Sequence, residues 1–204
     1  MKKILIPVIG LVLLSGCATA PVQQACTDAF VRPSYFDQGE ELAGFAFSAG
    51  ARGYGLDGIL QIKRRDMASY EAVAFTLDGY QLFQAVISPE AVEYPFLSKA
   101  VNRASVRSKL TRFLKMLLVP PATLRDCRVK KEIRYVHYQN PGQVTYFYPA
   151  QQHYPTQAQM SKMFGSARLE YGEYQKYGEG LLPQVMFYQD SAAYIDLRLL
   201  TLKK

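Results

Sequence analysis

Residues 70–87 read YEAVAFTLDGYQLFQAVI, a segment in which side chains alternate between two faces. Every second residue from Val73 to Leu77 is apolar, as is every second residue from Phe83 to Ile87. A period of two is typical of a half-buried β-strand. The intervening Asp78-Gly79 tolerates positive φ at both positions, which predicts a two-residue turn. The segment therefore predicts an antiparallel hairpin.

The same alternation recurs on both sides of this hairpin. Leu42–Ser48 and Leu56–Lys63 precede it, and turns rich in glycine and aspartate separate the four runs, so we expect a meander. The further predicted strands are Val129–Tyr138, Val144–Tyr148, Ala167–Tyr171, Leu182–Tyr188 and Tyr194–Leu202.

A helical period interrupts the strands over Arg103–Val119 and ends at Pro120-Pro121, since proline cannot continue a helix. Its basic side chains lie on other faces than the apolar stripe, so the helix could pack on the sheet or lie on an anionic membrane. Pro155–Phe164 is predicted to be a second, short helix. The stripe consists of Val106, Leu110, Phe113, Leu114 and Leu117, and the basic residues are Lys109, Arg112 and Lys115.

Composition describes one globular domain rich in strands. The chain has 204 residues, of which 49% are hydrophobic and 20% charged, with 15 Tyr, 11 Phe and no Trp. Such a composition excludes a disordered chain, and its aromatic content favours strands. The formal net charge of +7 indicates affinity for anionic surfaces or simple solubility. We expect no nucleic-acid partner, because the N-terminus directs the protein out of the cytoplasm.

Leu14-Ser15-Gly16-Cys17 resembles the lipobox of bacterial lipoproteins. It follows Lys2-Lys3 and the short apolar run Ile4–Leu14, as in a signal peptide. The resemblance implies that residues 1–16 are removed, that Cys17 carries acyl chains such as palmitate, and that residues 17–38 form a lipidated tether. Ala18 after that cysteine favours the outer membrane, facing the periplasm.

Two other interpretations of this N-terminus remain open. An ordinary secretory signal would be cleaved near Ala18 or Ala20. An uncleaved anchor would need about 20 apolar residues, roughly twice the length of this run.

Three cysteines are present, and Cys17 is assigned to the lipid. Cys26 and Cys127 form a candidate disulfide in an oxidising compartment, and the alternative is two buried thiols. Sequence alone does not decide, because the pair requires Cα atoms within about 7 Å.

None of the candidate catalytic or cofactor motifs has the neighbouring residues or elements that its chemistry requires. Gly53-Tyr54-Gly55-Leu56-Asp57-Gly58 matches a dinucleotide fingerprint, but a predicted strand follows where a helix would be needed. His137 and His153 lack partners at metal-ligand spacing, and Ser48 lacks the glycine two residues before it that a nucleophile elbow requires. Glu170 and Glu173 are not spaced as a catalytic pair. We therefore expect no enzyme, no cofactor and no metal.

Three stretches together resemble the LolA/LolB-type family. They are the opening pair Leu42–Ser48 and Leu56–Lys63, the hairpin Tyr70–Phe83, and the closing segments Gly180–Val185 and Tyr194–Leu199. The resemblance covers most of residues 40–204, and it implies one domain of this type over residues 39–204. It implies an α+β, mainly β fold, a curved antiparallel sheet or half-barrel with helices covering its concave face.

The resemblance also implies a hydrophobic groove for a lipid or an acylated cargo. It places an apolar membrane contact between the third and fourth strands, where Leu77 is the nearest match, and Phe96 and Leu97 are a second candidate. The expected function is lipid or lipoprotein transport in the envelope; the alternative is an accessory lipoprotein that docks an envelope protein complex and has no ligand. Residues expected to line the groove are Phe45, Phe47, Leu60, Ile62, Phe75, Phe83, Leu114 and Leu197.

Overall fold

Alternating apolar residues produce strands throughout this chain, and a computed structural model describes them for residues 34–36, 39–51, 53–120, 123–139, 143–161 and 166–204. These residues form twelve strands and one helix. The first five strands are β1 Leu42–Ala51, β2 Tyr54–Arg64, β3 Tyr70–Thr76, β4 Gln81–Ile87 and β5 Val92–Leu97, and the helix α1 is Ala104–Leu118. The other seven are β6 Thr123–Lys130, β7 Ile133–Gln139, β8 Val144–Pro149, β9 Gln157–Ser161, β10 Ser166–Tyr177, β11 Gly180–Asp190 and β12 Ala193–Lys203.

All twelve strands belong to one antiparallel sheet with the order β5-β4-β3-β2-β1-β12-β11-β10-β9-β8-β7-β6. Each strand pairs with the next strand in the chain, except that β5 does not pair with β6. The first and last strands join two meanders, and α1 carries the chain from one edge strand, β5, to the other, β6. The sheet is curved and open, so the predicted half-barrel is confirmed.

Glycine allows close packing where β1, β2 and β3 meet. Gly58 lies opposite Phe47, whose ring covers it, and a Cβ added there would be 2.0 Å from the Phe75 carbonyl oxygen. A β-bulge between Ala74 and Phe75 then shifts the β3–β4 register. Such bulges bend a strand and increase its twist, which curves this half of the sheet.

The helix agrees with its sequence pattern. α1 begins and ends within one residue of the predicted bounds, and the Val119 N–H donates to the Lys115 carbonyl just before the prolines. The apolar stripe is buried against the sheet except for the half-buried Val106, so the predicted packing role is confirmed. Among the described residues α1 is the one helix, whereas more than one helix was expected to cover the concave face.

Three local expectations were wrong. The predicted strand Val129–Tyr138 is a hairpin, because the chain turns at Lys131 and Glu132, both of which adopt positive φ. The predicted helix Pro155–Phe164 is instead a strand over Gln157–Ser161, paired with β8 and β10. The β3–β4 connection spans four residues, 77–80, and only its glycine has positive φ.

The signal peptide, Cys17, Cys26 and most of the predicted tether lie outside the described residues. Their cleavage, lipidation and pairing therefore stay predictions, as do the domain bounds. Cys127 is buried on β6. Within the described residues, no helix combines the length and apolar character needed to span a bilayer.

Candidate functional site

The candidate site is the inner face of the sheet, defined as the face that carries Phe45, Leu60 and Phe83. These residues lie in one row with Ala74 across β1 to β4. A second row crosses seven further strands and is apolar except for its tyrosine hydroxyls. It consists of Cys127, Val136, Tyr146, Ala158, Leu169, Tyr188 and Ile195.

Seven of the eight predicted groove residues meet at this face. Phe47 lies opposite Leu197, Ile62 lies opposite Ala43 beside the first row, and Leu114 faces the sheet from α1. All seven are buried except Phe47, which is half-buried and packs on the core. Other parts of the chain therefore cover this apolar face.

Phe75 is the exception, because it lies on the opposite face, where it pairs with Ile59. On β3 the small residues Ala72 and Ala74 point inward instead. They leave room for the larger neighbours Leu60 and Phe83, so the bulkier side of this strand is the outer one.

The first cover is α1, which is attached to the sheet by an ion pair. The Arg112 Nε donates to Asp190 Oδ2 at 2.8 Å, and a second guanidinium nitrogen lies 2.7 Å from the same oxygen. The Tyr188 hydroxyl lies 3.3 Å from this oxygen and from the Lys109 carbonyl oxygen. On the opposite flank, the Tyr94 hydroxyl bonds Thr111 at 2.8 Å. Polar contacts thus fix both flanks of the helix.

The second cover is residues 34–36, which the sequence analysis assigned to the tether. Tyr35 packs edge-on against Phe45 at 5.1 Å, and Phe36 packs against Tyr70 at 5.1 Å. Both aromatic side chains are only 3% exposed. In the sequence, this cover was indicated only by two adjacent aromatic residues within a polar segment, and no periodic pattern accompanied them.

Burial changes the acidity of tyrosines on and around this face. It raises the pKa of Tyr35, Tyr171, Tyr174 and Tyr188 above the ordinary value of 10.0. For Tyr188 the carboxylate of Asp190 adds to the effect. The rings thus remain neutral, which suits an apolar surface.

The predicted membrane contacts divide into exposed and packed residues. Leu77 is 74% exposed in the β3–β4 turn and Phe96 is 39% exposed, whereas Leu97 pairs with Phe83 and packs on the core. The antiparallel order places Tyr54, which is 84% exposed, at the same end of the sheet. We call this end, with Tyr54, Leu77, Tyr80 and Phe96, the turn end.

A pocket of about 270 Å³ lies on β6 to β9, with the outward-facing His137 and Thr145 in its lining. The Asp126 carboxylate in this lining pairs with Arg128 at 3.0 Å and lies 3.6 Å from the His137 ring. The His137 Nδ1 and Thr145 Oγ1 are 2.8 Å apart. These contacts give His137 a structural role, because it bonds to residues on the two adjacent strands.

The other residues weighed for chemistry stay apart. Glu170 pairs with Arg168 at 3.2 Å and Glu173 lies 4.0 Å from Arg198, each on the surface. His153 is exposed in a loop, and Ser48 lies mid-strand opposite Asp57. In the described part of the chain, no three His, Cys, Asp or Glu side chains are grouped to hold a metal.

Comparison with known proteins supports the fold. No family model and no curated protein matches the chain. A LolA superfamily protein from Nitrosomonas europaea is similar with a TM-score of 0.57 and 10% identity, over 82% of this chain and 87% of that one. A domain assigned to outer membrane lipoprotein sorting, from Vibrio parahaemolyticus, has a TM-score of 0.52 and 8% identity, over 81% and 85%. The chain therefore has a LolA-like fold.

Proposed function

We propose that this protein is a lipid-anchored protein of the outer membrane that holds a lipid or an acylated cargo against the inner face of its sheet. The observation that carries this proposal is the nature of the two covers. A continuous apolar face runs across the sheet, and among the described residues one helix and a short segment cover it, with no second sheet. Residues 34–36 belong to no strand, so this cover separates from the sheet more easily than a packed layer would.

The turn end supports contact with a membrane. Tyr54, Leu77 and Tyr80 are exposed there, and aromatic and aliphatic side chains favour the bilayer interface. Sixteen residues separate Cys17 from Ser34, so the two can lie at most about 60 Å apart when the chain is extended. The eleven residues of β2 span about 36 Å, so a lipid on Cys17 and the turn end can meet one membrane.

A second candidate is an accessory lipoprotein that docks an envelope complex and binds no ligand. Burial of Phe45, Ile62 and Leu114 favours it, because these side chains are already covered within the chain. The two candidates differ in whether the covers open.

Native mass spectrometry of residues 18–204, exported to the periplasm and purified gently, separates the candidates. Extraction and analysis of lipid from the same sample identifies the cargo. We expect near-stoichiometric acyl species. A clean apo mass, with no lipid taken up from added vesicles, would exclude carriage and leave the accessory role.

A matched pair of variants links bound lipid to the inner face. Ala74→Leu adds bulk between Leu60 and Phe83, and Val73→Leu adds bulk one residue away on the other face. We expect the first variant to lose lipid while the second retains it. Circular dichroism should show that both are folded.

A further inference from the structure

We infer that Tyr35 and Phe36 form a plug, which occupies part of the volume that an acyl chain takes and leaves when that chain binds. This inference rests on the proposed function. It adds how access of the cargo to the inner face is controlled, because the segment that leads from the predicted lipid anchor competes with the cargo. The plug is defined as residues 34–36.

The position of the plug is central. The Tyr35 hydroxyl donates to the Pro183 carbonyl at 2.7 Å and lies 3.4 Å from the Met186 sulfur, both on β11, while its ring meets Phe45 on β1. Phe36 reaches Tyr70 on β3. Two consecutive rings thus extend over strands that span the join between the two meanders.

The plug and α1 lie side by side along β11. Met186 contacts Tyr35, and Tyr188, two residues farther on the same face, contacts Phe113 of α1 with ring centres 5.2 Å apart. Departure of the plug would therefore uncover a strip continuous with the surface beneath the helix. A linear acyl chain fits such a strip.

The plug is attached to the sheet by contacts that can break without unfolding a strand. Residues 34–36 belong to no strand. Among the described residues, the Tyr35 hydroxyl contacts the Pro183 carbonyl and the Met186 sulfur, and Arg64 donates to the Phe36 carbonyl at 2.8 Å. Gly39 follows with φ +87° and open space around its Cβ position. A residue of this kind gives the chain a hinge before β1 begins at Leu42.

Tryptophan reporters test the movement, because the chain contains no tryptophan. Phe36→Trp labels the plug and Leu200→Trp labels an exposed position on β12, each in the full mature protein. The probe is a lauroyl lysophospholipid below its micelle concentration. We expect acrylamide quenching of the Phe36→Trp protein to rise and saturate with bound lipid, while the quenching of the Leu200→Trp protein stays constant.

Affinity provides the second readout. If the plug is closed nine-tenths of the time, its loss should tighten lipid binding about tenfold. We expect this of the double variant Tyr35→Ala/Phe36→Ala. Arg64→Gln removes one attachment without opening the core and should tighten binding less, and Arg65→Gln, one residue away on the surface, should leave it unchanged.

The outcomes separate the two proposals. Lipid binding with unchanged or reduced quenching of the Phe36→Trp protein, or with equal affinity in wild type and Arg64→Gln, would overturn the plug and leave the lipid-binding function standing. No binding by wild type or by any folded variant would overturn the proposed function itself.

Discussion

Replacing Arg112 by methionine should loosen α1 from the sheet. Asp190 is fully buried, and the substitution removes its guanidinium partner, leaving the hydroxyls of Tyr188 and Ser191 beside the carboxylate. Methionine retains the length and the apolar stem of the side chain, so packing changes little. The loss then measures what the contact between Arg112 and Asp190 contributes to stability.

The magnitude follows from burial on the two sides of the pair. Removal of one partner of a fully buried ion pair costs about 3–5 kcal/mol. The Arg112 side chain is 26% exposed, so water partly screens the pair, and we expect a loss of about 2–3 kcal/mol in the free energy of unfolding. Asp190→Asn should cost less, because the guanidinium left behind can turn toward water.

Urea unfolding followed by circular dichroism measures these losses, and a double-mutant cycle with both substitutions isolates their coupling. Arg168→Met is the matched control, since its partner Glu170 is at 3.2 Å but both side chains are about two-fifths exposed. It should cost at most about 1 kcal/mol. An Arg112→Met loss no larger than this control would refute the role of the pair in holding α1.

Three further predictions concern stability. Burial raises the pKa of Tyr35, Tyr171, Tyr174 and Tyr188, so stability should be intact below the ordinary pKa of 10.0 and fall as the pH rises above it. Each tyrosine whose ionisation is delayed by folding lowers the free energy of unfolding by about 1.4 kcal/mol per pH unit in this range. Urea unfolding combined with tyrosinate absorbance would detect the loss. Ionisation of all tyrosines near pH 10.0 in the folded protein would contradict it. Gly58→Ala should destabilise the protein by at least about 2 kcal/mol because its Cβ would meet the Phe75 carbonyl, whereas Gly55→Ala, with open space, should be near neutral; equal thermal midpoints would contradict this. Cys26 and Cys127 should form a disulfide worth up to about 4–5 kcal/mol, which thiol alkylation with mass spectrometry would detect, and two free thiols in the exported protein would contradict it.

Alternation of side chains was enough to predict most of the sheet. A period of two determines which residues share a face, so Phe45, Leu60 and Leu197 could be grouped before their strands were paired. The pattern does not say which face is inner. On β3 the larger side chains misled the assignment of Phe75, because the space above Ala72 and Ala74 is filled from β2 and β4.

The elements missed by the sequence analysis depend on contacts far apart in the chain. Lys131 and Glu132 adopt positive φ without the glycine or asparagine that would announce a hairpin, since pairing of β6 with β7 enforces the turn. Tyr35 meets Pro183 across 148 positions of sequence, and Arg112 meets Asp190 across 78. No local pattern encodes such pairs, so the helix could be predicted as a cover, but its attachment to the sheet and the second cover were found only in the structure.

The energetics of the plug suit a protein that must both accept and release a lipid. Two buried aromatic side chains of about 150–250 Å² each contribute at most roughly 8–12 kcal/mol, from which the ordering of the segment subtracts several kcal/mol. An acyl chain gains about 0.8 kcal/mol per methylene on leaving water, but it gains little on leaving a bilayer, which is already apolar. At a membrane the exchange is therefore opposed by the net free energy that closes the plug, which is about 1.3 kcal/mol for a plug closed nine-tenths of the time. A cover held much more firmly would exclude the lipid, and a bare inner face would retain it.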